Sequence, residues 1–378
     1  MKRTIFLFFL SFSLFLLSIT IYSYAFVDLN LTITTNSLYL AFQKSLTQLG
    51  YYNRPLSTLL FIVLLLWSTM HWFWLLKKAQ QNKLELEHIK GLILISGLLI
   101  ISYPAFSYDF FNYLFDARIV TQYGLSPYHF KALDFPLDPW IRFMHWTHRY
   151  YPYGPGWLLL TLIPSFLGAG KFLLTVWLQK SVFYAFHVFN VWLLYRIVQK
   201  VVPQRALFAT TFYAFNPLVM YESLISPHNE VMMLCFALLA VYFMVLKKDA
   251  FSLASLFFSV AIKFISITLL PLLVISKRID TSFFKYLFLL WMIPVLLLIV
   301  FRESYPWYFL PLVACAALWN SKVVMIIVSG LSIGLLLRYV PFIYRGEYGL
   351  ITSTWQFYLM MIGSIFIASM FFIWQKRE

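Results

Sequence analysis

Apolar runs recur from one end of this chain to the other, each roughly 15 to 25 residues long, the length an α-helix needs to cross about 30 Å of hydrocarbon. Twelve fall at 5–27, 56–76, 91–106, 172–198, 206–221, 231–246, 250–262, 264–276, 283–301, 306–319, 323–340 and 352–374. Alternating strand patterns are absent, and unpaired backbone cannot face lipid, so the expected fold is an all-α polytopic membrane protein. Of 378 residues, 62% are apolar and only 11% charged, which excludes an ordinary soluble domain. The whole chain reads as one integral membrane domain, with an N-terminal helix pair over 1–90, a core over 91–320 and a C-terminal helix pair over 321–378. The run 154–168 is the exception. It is short, opens with Gly154-Pro155-Gly156 and contains Pro164. A full crossing there would put the basic segment 199–205 outside, so this run is expected to be re-entrant or broken. The neighbouring runs 250–262 and 264–276 are short enough to form one long helix instead.

The net charge of +15 does not indicate nucleic acid, because of where the charges lie. Lys2-Arg3, Lys77-Lys78 with Lys83 and Lys90, Lys200 with Arg205, Lys247-Lys248, Lys277-Arg278 and Lys376-Arg377 sit between apolar runs, as cytoplasmic topology signals do. Both termini are then cytoplasmic, and the first apolar run is too long for a cleaved signal and reads as a retained helix. Nine acids fall on the outer side: Asp28, Asp109, Asp116, Asp134, Asp138, Glu222, Glu230, Glu303 and Glu347. So does the longest loop, 107–153, whose aromatic content suits interfacial helices. Within it Asn112, Asp116 and Gln122 are expected to face water. Cys235 and Cys315 lie inside apolar runs and read as core residues, with no disulfide framework.

Five polar clusters interrupt this pattern. Asp109 and Asp116, with Arg118 beside the second, follow the run that ends near Phe106. A carboxylate at a membrane boundary is costly to desolvate and suits a general base; otherwise Asp109 caps the helix over 110–120. Tyr150-Tyr151-Pro152-Tyr153-Gly154-Pro155-Gly156-Trp157 forces a turn into a helix, and its tyrosines either line a sugar site or belong to an aromatic belt. Asn216-Pro217 leads through Glu222 to Pro227-His228-Asn229-Glu230, where His228 and Glu230 could bind phosphate or a divalent cation, or assist proton transfer. Lys263 stands alone between two short apolar runs and either holds an anionic lipid head or snorkels. Arg302-Glu303-Ser304-Tyr305-Pro306-Trp307-Tyr308 offers a lipid-phosphate contact, or an Arg302–Glu303 surface pair.

In this order SYDFFNYLFDARI…YGLSPY, YPYGPGWLLL, NPLVMYESLISPHNE, IKFISITLLP and YPWYFLPL resemble polyprenyl-phosphate-sugar-dependent glycosyltransferases of the GT-C fold, and the bacterial mannosyltransferase-like branch above all. The resemblance covers about residues 95–320. The helices read from hydropathy, about twelve transmembrane ones and the short re-entrant or broken one, are taken as GT-C-like. The resemblance implies inverting transfer of a sugar, often mannose, from a polyprenyl-phosphate donor to a glycan, glycolipid or protein acceptor on the outer face of a bacterial plasma membrane. Asp109 is then the base. Arg302, Lys263 and His228 hold the phosphate, while Asp116, Tyr153 and Glu230 orient sugar or acceptor; Arg118 and Tyr308 join them as substrate-binding candidates. The family's His-Asn-Asp motif stands here as His228-Asn229-Glu230, its charge a methylene further out. No nucleotide-binding glycine loop is visible, which suits a lipid-linked donor, and the cofactor reading is none or a divalent cation. Two other readings stay open: an outer-face polymerase or ligase of lipid-linked glycans, and a lipid or solute transporter.

Overall fold

The structure, a computed structural model, describes residues 2–29, 31, 34–275 and 279–376; the basic residues Lys277, Arg278 and Arg377 lie outside them. Every regular element among the described residues is helical. Helix α1 (Lys2–Ser23) is followed by α2 (Ser37–Thr47), whose N-cap Asn36 accepts the Leu38 and Tyr39 N–H groups, and by α3 (Arg54–Gln80). Next come α4 (Leu86–Ser96), α5 (Asp109–Tyr123), α6 (Pro155–Leu167) and α7 (Phe172–Val201). The second half holds α8 (Ala206–Ala214), α9 (Pro217–Met220), α10 (Glu230–Val245), α11 (Asp249–Ile262) and α12 (Leu270–Ile275). It ends with α13 (Thr281–Phe301), α14 (Leu310–Leu318), α15 (Lys322–Leu337), α16 (Tyr339–Arg345) and α17 (Leu350–Lys376).

Six stretches of the described residues are long and apolar enough to cross a membrane: Thr4–Phe26, Arg54–Gln80, Phe172–Val201, Ser282–Phe301, Lys322–Arg345 and Leu350–Trp374. The pair Pro217–Ile225 and Glu230–Val245, bent by 115°, makes a seventh if it is one broken span. A polytopic helical membrane protein is therefore what the chain forms, with fewer full-length spans than the twelve expected. Local chemistry explains the difference. The run 206–221 breaks at Pro217, which has no N–H to donate, and a new helix starts there with Asn216 as its cap (2.9 Å to the Leu218 N–H). The runs 250–262 and 264–276 do not fuse, because Lys263 between them is extended (φ −150°, ψ 119°). The run 306–319 begins as a 3₁₀ turn at Pro306 before α14, and 91–106 tightens to 3₁₀ geometry at Gly97. The segment 154–168 is one continuous helix, α6, whose 13 residues span only about 20 Å.

Helix α5 departs from expectation in another way. It is buried along most of its length against α6 and α7, and of the three residues expected to face water only Gln122 is exposed. Asn112 and Asp116, expected to face water, are 1% and 7% exposed. Hydrogen bonds between segments remote in sequence gather the loops at one end of the bundle. Tyr103 N–H donates to Ser23 Oγ (2.9 Å), Phe106 N–H to Ser226 Oγ (2.9 Å) and Gly154 N–H to the Ile262 carbonyl (3.3 Å). Arg338 donates to the Ser304 carbonyl (3.1 Å). Cys235 and Cys315 are buried free thiols, as expected.

Candidate active site

Asp109 is the first residue of α5 and half-buried. It does not cap that helix. The N-cap position is Tyr108, and Ser107 Oγ accepts the Asp109 N–H at 3.3 Å, leaving the carboxylate to its surroundings. Two turns on, Asp116 points inward with one carboxyl oxygen buried and unpartnered. Burial pushes its pKa up to about 7, Arg149 pulls it down, and Asp109 adds to the rise. Arg149 thus lies within electrostatic reach of both carboxylates. Its guanidinium also donates to Tyr153 Oη (3.4 Å) and sits 5.4 Å from that ring.

Two of the sequence clusters build the wall that holds Arg149. Tyr151 N–H donates to the Pro127 carbonyl (3.0 Å) and Tyr128 Oη to the Tyr153 carbonyl (3.1 Å), so YGLSPY is tied to YPYGPG. Gly154 then lets α6 start directly on the end of α11, where an added Cβ would collide with the Ala261 carbonyl oxygen. That contact brings Tyr153 towards Lys263. Tyr113, fully buried on α5, meets Tyr153 edge to face (centroids 5.5 Å) and interacts electrostatically with both Asp109 and Glu230.

The third cluster folds into a buried relay. Tyr339 Oη donates to Glu222 Oε1 (2.8 Å), and Glu222 Oε2 lies 3.0 Å from His228 Nδ1, paired but out of line for a hydrogen bond. On the other side of the ring, His228 Nε2 shares a hydrogen bond with Ser107 Oγ (3.0 Å). The imidazole is clamped flat on Trp307 (centroids 3.9 Å, 14°), itself stacked on Tyr305 (4.6 Å, 6°). Both ring nitrogens thus face the protein, and His228 is 1% exposed. Behind the relay the Nζ of Lys180, on α7, donates to the Ser102 carbonyl (2.9 Å), Ser102 Oγ (2.6 Å) and the Ile225 carbonyl (3.1 Å).

The remaining groups meet at the mouth. Lys263 pairs with Glu230 Oε1 and lies 5.2 Å from the Tyr308 ring. The lysine is partly open, while the second carboxyl oxygen of Glu230 is buried without a partner. Arg302 is exposed and interacts with Tyr305 and Tyr308. Glu303 pairs with Arg338, so the alternative Arg302–Glu303 pair does not form. Among the described residues, no three His, Cys, Asp or Glu side chains gather as ligands for a metal ion.

The model of the alpha-(1->6)-mannopyranosyltransferase family, MptA_B, N-terminal domain, matches residues 18–278, well over half of the chain. The chain belongs to this family. No curated protein and no solved structure matches it significantly. As a family member it is a membrane glycosyltransferase, consistent with the GT-C mannosyltransferase resemblance of its motifs. The matched stretch carries Asp109, Asp116, Arg149, Tyr153, His228, Glu230 and Lys263; Arg302 and Tyr308 lie beyond it.

Of the candidates read from sequence, electrostatic or direct contacts link Asp109, Asp116, Tyr153, Glu230, Lys263, Tyr308 and Arg302, while His228 reaches Asp109 through Ser107. Arg118 is engaged elsewhere. It pairs with Asp138 (2.6 Å), lies 4.3 Å from the Trp140 ring, and shares its acid with Tyr123 Oη (2.6 Å). Burial raises the Asp138 pKa, but the bonds from Tyr123, Arg118 and the Trp140 N–H outweigh it and hold the carboxyl below its ordinary value. Arg149, Tyr113 and Lys180 went unread. The signal for Lys180 was an ionisable residue deep in an apolar run, which is functional or structural by default. Arg149 carried only its place four residues before Tyr153.

Proposed function

We propose that the chain moves mannose from a polyprenyl-phosphate donor to an acceptor hydroxyl on the outer face of the membrane, with inversion at the anomeric carbon. The observation that carries this is a half-buried carboxylate, Asp109, beside Arg149, with Lys263 and Arg302 at the same mouth. The acceptor hydroxyl gives its proton to Asp109 as its oxygen bonds to C1. The C1–O bond to phosphate breaks, and the polyprenyl phosphate leaves with the electron pair. A phosphate is a good leaving group, so cations that meet its growing charge matter more than an acid proton. Arg149, Lys263 and Arg302 fill that role; Lys263 exchanges Glu230 for phosphate when donor arrives. The relay from Tyr339 to Ser107 holds the backbone of Asp109 in place, which gives His228 a positioning role.

The test is Asp109→Asn in membranes supplied with polyprenyl-phosphate mannose and a mannan acceptor. The amide keeps the shape but takes no proton, so transfer should fall by about 10²-fold or more. Transfer at the wild-type rate would remove Asp109 as the base.

A further inference from the structure

A second set of side chains converges on the turn that carries Asp109, and the transfer chemistry leaves it unused. The Tyr108 ring lies flat on His145 (centroids 3.6 Å, 12°). Tyr51, whose hydroxyl donates to the Phe26 carbonyl (3.2 Å), lies within electrostatic reach of Tyr108, as do Asp28 and Tyr348. Tyr348 in turn is stacked on Phe342 (4.3 Å, 19°), yet the residue is 76% exposed. The set therefore has two ring platforms, each braced from behind, with phenol hydroxyls and a carboxylate around them. Burial holds the His145 pKa below its ordinary value, against the pull of Asp28.

The charge on this side differs from that at the donor cations. Two cations border it and both are engaged: Arg54 sits 5.7 Å from the Tyr51 ring and donates to the Ile343 carbonyl (3.4 Å), and Arg338, which acts on Tyr348, pairs with Glu303. A phosphate would meet Asp28 here rather than a cluster like Arg149, Lys263 and Arg302. A neutral pyranose fits instead: its C–H faces pack on aromatic rings while its hydroxyls bond phenols and carboxylate. Tyr305 interacts with Asp109 and with Tyr348, so a sugar on these platforms has the base within reach.

We propose that Asp28, Tyr51, Tyr108, His145 and Tyr348 form the acceptor subsite, which takes a neutral saccharide and presents its hydroxyl to Asp109. This rests on the transfer reading above and adds to it a separate binding side for the acceptor.

Binding can be measured without donor. The full-length protein in detergent is titrated with a short alpha-(1->6)-linked mannooligosaccharide by calorimetry or saturation-transfer NMR. Tyr348→Ala and His145→Ala should each weaken binding by roughly tenfold, and Tyr348→Phe, which keeps the ring, by no more than about threefold. Arg149→Ala should keep the saccharide and lose polyprenyl phosphate. Wild-type affinity in both alanine variants would overturn the subsite. So would saccharide loss in Arg149→Ala alone, or no binding to the wild type. Because no donor is present, this outcome is read apart from the transfer reaction, which fails only if the wild type moves no mannose.

Discussion

Asp116 is the residue whose surroundings make the sharpest demand. Its carboxyl rises from 3.8 to about 7, chiefly because it is buried, and Asp109 adds to the rise while Arg149 opposes it. The sign follows directly. Between those values the unfolded chain has lost the proton and the folded chain keeps it, so stability falls as pH climbs from about 4 to about 7 and levels off above. The loss is at most a few kcal/mol, at about 1.4 kcal/mol per pH unit. Thermal midpoints in detergent should drop across that interval for the wild type and hardly move for Asp116→Asn; parallel curves would show that Asp116 does not titrate there. Asp109 was legible in the sequence because a carboxylate at the end of an apolar run stands out against its neighbours. Arg149 was not. An arginine among loop aromatics looks the same whether it meets water or two carboxylates, and only the fold of 124–154 decides. His228 was legible as a polar residue, but its two partners, Glu222 and Ser107, come from 6 and 121 residues away, and no spacing rule joins them.

At the scale of elements, the meeting of α6 with α11 sets the distance between the tyrosine wall and Lys263. Gly154→Ala would drive a methyl into the Ala261 carbonyl, and a Cβ added at Gly156 would lie 3.0 Å from the carbonyl carbon of the same residue. The helices must separate, at about 1–3 kcal/mol, as in other overpacked contacts. A lower melting point together with reduced kcat is expected. Gly349→Ala, whose methyl would meet nothing within 4 Å, serves as the stability control. Equal melting of both variants would show that this contact yields freely. Helix-forming runs were legible from hydropathy alone, yet their lengths were not. Averaged apolarity passes over Lys263, which ends α11, and over Pro217 and Pro306, which open new helical segments, each for a local backbone reason. The wet face expected for α5 failed for the opposite reason. Its polar residues have the right period, but Asn112 donates to the Trp146 carbonyl (3.1 Å) and Asp116 is drawn to Arg149, so the polarity is met inside in part, with Asn112 Oδ1 and one Asp116 oxygen left unpartnered.

For the whole molecule, the site draws on every part of the chain: Tyr51 from the first helices, Asp109 to Tyr308 from the middle, Tyr339 and Tyr348 from the end. If that end of the bundle faces outward, a cysteine at Trp146 or Tyr348 should react with an impermeant maleimide added to intact cells. One at Lys83 should react only after permeabilisation. The native thiols are buried and stay silent. Labelling of Lys83 from outside would invert the topology. Lys180 has the widest reach. A single amine grips the strand of chain that leads to Asp109 and the one that leads to His228, three bonds in an apolar interior. Neither can shift without stranding that amine in hydrocarbon, so the two halves of the site travel as one block. Enzymes that gate their chemistry with a moving flap are often limited by its opening. For the transfer proposed above, a block of this kind puts the expected bottleneck not in a flap but in lateral traffic: the rate at which the spent lipid phosphate slides back into the leaflet.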